Sequence, residues 1–214
     1  MTPLRRLLPC LFLLVASVPA RAADTDKYLP DRTQGVITVH IKQLLESPLL
    51  KEHTTAIKQA FKDLNVGQAA LNLIGFDPFS DVERVVVAFS GNPDNDQAVF
   101  LLQGTFDTAK VQAAADKAAK EGKDTVQRHK LNDHTFYAVK LEADGATVYI
   151  GPLDQGMLIA SPDRDSVIEA LDKKAGRRKS EVRKDVQSLV AKIDPRHAVA
   201  GPNDGGMLTQ SPRP

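Results

Sequence analysis

His129 and His134 flank a stretch that reads as a hairpin turn and includes Asp133. A hairpin brings strand ends together, so two imidazoles and a carboxylate could converge there as metal ligands. A strand pair, however, shows only alternate side chains on each face, and no third histidine is near. Histidines exposed at a turn are therefore the preferred reading. Asn92-x-Asp94-x-Asp96 spaces oxygen ligands like the first half of a calcium loop. Gln97 stands where that loop needs glycine and Gln103 where it closes with glutamate, so turn chemistry accounts for these residues. A third group is basic: Lys173, Lys174, Arg177, Arg178, Lys179, Arg183 and Lys184, with only Glu181 as an acid among them. Such a run could dock on an anionic surface, whether lipid headgroups, nucleic acid or acidic polysaccharide. No aromatic residue interleaves it, so bases would find no stacking platform. Cations at a helix C-terminus and on a solvated surface explain the run without a ligand.

The chain carries no Gly-x-Ser-x-Gly, Gly-x-Gly-x-x-Gly, Walker lysine or His-Glu-x-x-His pattern. Asp163 and Asp165 form an acid pair, but one caps a helix and the other lies in its first turn. No cofactor is implied, and no catalytic residue stands out. A triad of distant Ser, His and Asp would meet only in space, beyond the reach of spacing arguments.

The elements that must position these groups belong to an ordinary globular chain. It has 214 residues, 42% hydrophobic, 26% charged and 5% aromatic, which excludes collagen, coiled-coil and multi-pass membrane classes. Residues 1–22 read as a signal peptide: Arg5 and Arg6, an apolar stretch from Leu7 to Val18, then Ala20-Arg21-Ala22 as the cleavage site. Removing it takes 28 basic residues to 25 against 27 acidic ones, moving the net charge from +1 to −2. Cys10 leaves too, so the mature chain has no thiol for disulfides, nucleophilic catalysis or zinc. A near-neutral balance recommends no nucleic acid partner, and no later stretch is long and apolar enough to span a membrane as a helix.

After a polar lead-in over residues 23–35, one α+β domain is expected over 36–200. Val36 to Ile41 alternates as a strand, and Ser47-Pro48 reads as a helix start with the stripe Leu50, Ile57, Phe61, Leu64. Ala70, Leu73 and Ile74 read as a second helix. Val82 to Ser90 reads as a strand; its run Val85 to Phe89 is apolar on both parities, which suits burial on both faces, or nearly so. The returning strand is Ala98–Gly104, and Asp107 caps a helix ending near Gly122. Four short strands follow, Thr125–Leu131, Thr135–Leu141, Thr147–Gly151 and Met157–Ala160, then a helix from Ser161-Pro162 to Gly176 and another capped by Ser180. The order βαββαβ predicts a ferredoxin-like unit extended by a strand meander, a largely antiparallel sheet with helices on one face. Asp107, Val111, Ala114, Asp116, Lys117 and Ala119 recur 56 positions later as Asp163, Val167, Ala170, Asp172, Lys173 and Ala175. We read this as a duplicated strand–helix unit rather than convergence of two junctions. Residues 201–214 are rich in Pro and Gly and read as a disordered tail.

Three segments resemble a family of uncharacterised secreted proteins of planctomycete-type bacteria: Asp24–Leu45, with Lys-Tyr-Leu-Pro-Asp and Thr-Gln-Gly-Val; Leu158–Gly176, with Leu-Ile-Ala-Ser-Pro; and the basic stretch that follows. The resemblance implies an envelope or secreted location and no particular activity. Relatives continue in strands where this chain turns to its Pro/Gly tail, so a truncated or frame-shifted C-terminus after Ala198–Ala200 is a further expectation. The functional expectation is an exported, periplasmic or extracellular, non-enzymatic domain that binds or scaffolds an anionic envelope component or another exported protein. The alternatives are a hydrolase or metal-dependent enzyme with a spatially assembled site using His129, Asp133 and His134, and a truncated paralogue. Sequencing the N-terminus of exported protein checks the first step: the mature chain begins at Ala23 and lacks Arg5 and Arg6.

Overall fold

The computed structural model describes residues 25–48, 50–56, 59, 77–89, 98–121, 125–141, 146–184, 186 and 199–200. The signal segment, the Asn92–Asp96 stretch, most of the expected helices over 57–74 and 187–193, the turn at 143–145 and the tail lie outside them. The chain runs β1 (Gly35–His40), α1 (Ile41–Glu46), α2 (Pro78–Asp81), β2 (Val82–Phe89), β3 (Val99–Gly104), α3 (Thr108–Lys120), β4 (Val126–Leu131), β5 (His134–Lys140), β6 (Thr147–Pro152), β7 (Met157–Ser161), α4 (Arg164–Lys174) and β8 (Val199–Ala200). The strands form one sheet in the order β4-β5-β6-β7-β3-β2-β1-β8, every neighbouring pair antiparallel. The fold is α+β, with a largely antiparallel sheet. Among the described residues no helix is long and apolar enough to cross a membrane.

Two finer expectations are revised. The βαββαβ order is present, but β1 lies directly beside β2 as an antiparallel neighbour, and β4 sits at the far end of the sheet. A ferredoxin-like unit would instead split its βαβ with an inserted strand. The two long helices also divide between the faces. Successive strand residues point to opposite faces. Phe136 packs in the core with Val167, Ala170 and Leu171 of α4, whereas its neighbour Tyr137 packs with Ala115 and Ala118 of α3. The cross-strand register extends this split: Val36, Val86, Ala88, Leu101 and Ile159 share the α4 face, and Leu158 joins Val111 on the α3 face. With apolar groups on both faces of β5 and β7, a helix on each side is what buries them.

The helix starts follow the sequence closely. Asp107 accepts from the amides of Ala109 and Lys110, and Asp163 from those of Asp165 and Ser166, so both positions of the 56-residue echo are side-chain caps. Ser47 closes α1 and also opens the next helical segment as expected, its carbonyl accepting from Leu50 N (3.0 Å) and Lys51 N (2.8 Å), although its side chain does not cap that start. Its amide and its hydroxyl both donate back to Leu44 O, and its backbone is extended, as suits a residue before proline. Likewise Ser180 Oγ makes no hydrogen bond, and Val182 and Val186 anchor the segment by burial in the α4-face core.

The β6–β7 turn depends on a close approach. Gly156 has φ +66, and a Cβ there would run into Gly104 O, while Gly104 N donates to Gly156 O at 2.9 Å. Gly156 N in turn donates to Thr108 Oγ1 at 2.8 Å, which ties the turn to the start of α3. Gly156→Ala is expected to lose about 2 kcal/mol, from the left-handed backbone and the clash together. Urea denaturation at neutral pH measures it.

Candidate functional site

Four residues of the basic run make bonds within the fold, and of the run only Lys173 is buried. Glu169 and Lys173 are one turn apart on α4 and face the N-terminal segment. The Lys173 side chain is only 2% exposed, and its Nζ donates to Leu29 O (2.5 Å) and pairs with Asp31 (2.7 Å) and Glu169 (2.8 Å). Arg178 closes on the other Asp31 oxygen through Nε (3.0 Å) and Nη2 (2.6 Å). The Glu181 amide donates to Asp31 as well, and the Asp31 amide to Glu169. Burial alone would raise the Asp31 carboxyl, but the bonds from Lys173, the Glu181 amide and Arg178 hold it below its ordinary value. Beside this clasp, Arg32 binds Asp163 (2.5 Å) and Ser166 (2.9 Å), and Tyr28 donates to Asp154 (2.6 Å). Lys174 bonds to Pro152 O at 3.0 Å. Lys179, Arg183 and Lys184 remain exposed on the segment that follows. Lys173 is thus a structural cation, and Lys174, Arg177 and Arg178 also hold internal bonds.

The histidine turn is built as a two-residue hairpin. Asn132 and Asp133 have φ of 48° and 67°, and Leu131 pairs with His134, His129 with Phe136. Cross-strand partners share a face, so both imidazoles lie on the α4 side, diagonal to one another. Each is engaged separately. His134 is 9% exposed; its Nε2 lies 2.9 Å from Asp172 Oδ1 and also contacts Arg177 Nη2. Arg177 further donates to Asp172 (2.9 Å) and to Asn132 O (2.7 Å), so it bolts the turn to the end of α4. Burial would raise the Asp172 carboxyl; bonds from Arg177 and His134 keep it low. His129 stacks on Phe136 at 5.4 Å and meets Tyr149 edge-on. Its Nε2 is buried without a hydrogen-bond partner. Asp133 is exposed in the turn. Among the described residues no set of three or more His, Cys, Asp or Glu is placed to hold a metal ion. His134, Asp133 and Lys174 do share the wall of an open pocket of about 320 Å³, floored by Leu171, Pro152 and Ala175.

Two further features carry weak sequence signals. On the α4 face, Arg84 Nη2 bonds Gln103 Oε1 at 2.6 Å beside His40, whose imidazole is pushed down by burial and by the Arg84 charge. On the opposite face, Ile37, Phe89 and Phe100 stand 38%, 40% and 36% exposed. The register places them together: Ile37 pairs with Val87, Val87 with Phe100, and Phe89 with Gly35. The Phe89 ring occupies the space where a Cβ on Gly35 would go. Strand β2, expected to be buried on both faces, therefore buries one and leaves the other half open.

No protein-family model and no curated protein matches the chain. Two solved structures resemble it, crystal forms I and III of TP0453, at 8% and 9% identity with TM-scores of 0.48 and 0.42. Each match covers 81% of this chain and 60% of the other.

The clasp is open to measurement. Lys173→Met leaves two acids without their buried ammonium and is expected to lose about 3 kcal/mol in urea denaturation. Because the folded state holds Asp31 below 3.8, its bonds stabilise the protein above that pH, and the contribution is lost as pH falls through the lowered value. Asp31→Asn is expected to lower stability at pH 7 and to flatten the acid limb of the stability profile below about pH 4.

Proposed function

We propose that this is an exported, non-enzymatic domain that binds or scaffolds another exported protein at the cell envelope. One observation carries the reading: Ile37, Phe89 and Phe100 form an apolar group, each more than a third exposed, on one face of β1–β3. Scattered exposed apolar residues are ordinary, but a contiguous set on a rigid sheet marks an interaction surface. Covering one phenylalanine is worth about 2 kcal/mol, so a partner laid across the set gains enough to associate. The chemically capable residues support binding over catalysis. Lys173, Arg178, His134 and Arg177 are held by partners within the fold. The signal-like segment and the resemblance to secreted planctomycete-type proteins support an envelope location.

The test compares mature wild-type protein with Phe100→Asp as bait in envelope extract. The wild type is expected to retain a defined partner that Phe100→Asp retains at least about tenfold more weakly, at matched folding by circular dichroism. Recovery of no partner even at low salt, or equal recovery by both baits, would overturn the reading.

A further inference from the structure

Strand β4 is the outermost strand at its end of the sheet. Its ladder to β5 fixes which backbone groups face outward. Lys140 N donates to Thr125 O at 2.9 Å, and Leu131 pairs with His134 across the two-residue turn. Antiparallel pairs alternate between hydrogen-bonded and non-hydrogen-bonded positions. Thr125, Gln127, His129 and Leu131 therefore direct their N–H and C=O toward β5, and Val126, Arg128 and Lys130 direct theirs away. Among the described residues no strand pairs with that outer side.

The side chains of these three residues say what could. Val126 is buried beneath α3, and Arg128 and Lys130 stand along the same face, both exposed. Arg128 Nε pairs with Asp116 at 3.0 Å, and the Lys130 ammonium has no ion pair among the described residues. Asp133 in the turn is the one exposed acid next to Lys130 along the chain. On the other face Gln127 is exposed and Leu131 half-buried beside His129, whose Nε2 lacks a partner. Cations along an edge repel a basic strand and deter self-pairing. The same cations favour a strand bearing carboxylates at alternate positions, because side chains on an added strand fall opposite Arg128 and Lys130 on one face. We propose that the open edge of β4 binds an extended acidic peptide segment as an added strand, main chain to main chain at Val126, Arg128 and Lys130, with its carboxylates against Arg128 and Lys130. This surface is separate from the apolar set on β1–β3 and does not rest on it.

The probe is a fluorescent decapeptide of alternating Glu and Thr, with a Lys/Thr decapeptide as control, titrated into the mature protein at low and physiological salt. Binding of the Glu peptide alone, with slowed amide exchange at Val126, Arg128 and Lys130 but not at Gln127 or His129, is the expected result. Lys130→Glu is expected to weaken that binding about fivefold or more. Lys130→Pro removes an outward N–H without breaking the inner ladder and is expected to abolish the added protection. Equal binding of the two peptides, no protection of the three outward amides, or undiminished binding by Lys130→Glu would overturn the proposal.

Discussion

The buried ammonium of Lys173 is the constraint on which much of this molecule turns. Once α4 lies on the sheet, a lysine on its inner side must either be neutralised or be surrounded by acceptors. The fold surrounds it: a carbonyl from Leu29, a carboxylate from the entering segment and one from its own helix. That choice brings residues 28–32 across the helix, which puts Tyr28 and Leu29 into the core at 3% and 0% exposure. The same acid collects Arg178 and the Glu181 amide, so the segment leaving α4 is fixed by the group that fixes the segment entering the domain. A buried ionic clasp contributes modest net stability compared with an apolar filling of the same shape. Its effect here is registration, because this placement of the two segments gives the Lys173 ammonium, the Arg178 guanidinium and the Glu181 amide their acceptors.

Much of the framework could be read directly from local pattern. β1, β2, β3 and the β4–β7 meander fall within a residue or two of their expected bounds, and the two aspartate caps sit where their spacing from the apolar stripe put them. These are local signals: alternation, turn formers and caps act over a few residues. What stayed hidden is long-range. Lys173 looks like any cation near a helix end, and its partner Asp31 lies 142 positions away. The run Val85–Phe89 carries no parity, since every position is apolar, and only the register shows that Val86 and Ala88 are covered while Phe89 is not. Ser47 shows a related limit: its pairing with proline marked the start of a helical segment, but not that the same residue also closes α1 by donating its amide and hydroxyl to Leu44 O.

The histidine turn illustrates the difference between proximity and convergence. His129 and His134 do share a face, as a metal site would need. Yet one ring has been taken up by aromatic stacking and the other by an Asp–Arg pair, so their nitrogens serve different neighbours. Arg177 matters most to that outcome, because a guanidinium now occupies the position next to the imidazole that a cation ligated there would require.

The order of strands also sets how the chain can assemble. Within the meander, β4, β5, β6 and β7 pair in sequence order, so assembling that half of the sheet needs no more than short loop closures. Joining it to β1–β3 requires β3 to meet β7, a pairing that encloses α3 and the whole meander, and sealing the far side requires β8 to reach β1 from the other end of the chain. Contacts of that span are slow to form. The meander is thus the natural nucleus, and the edge between β3 and β7, where Leu101 meets Ile159, is the seam at which two separately formed halves become one domain.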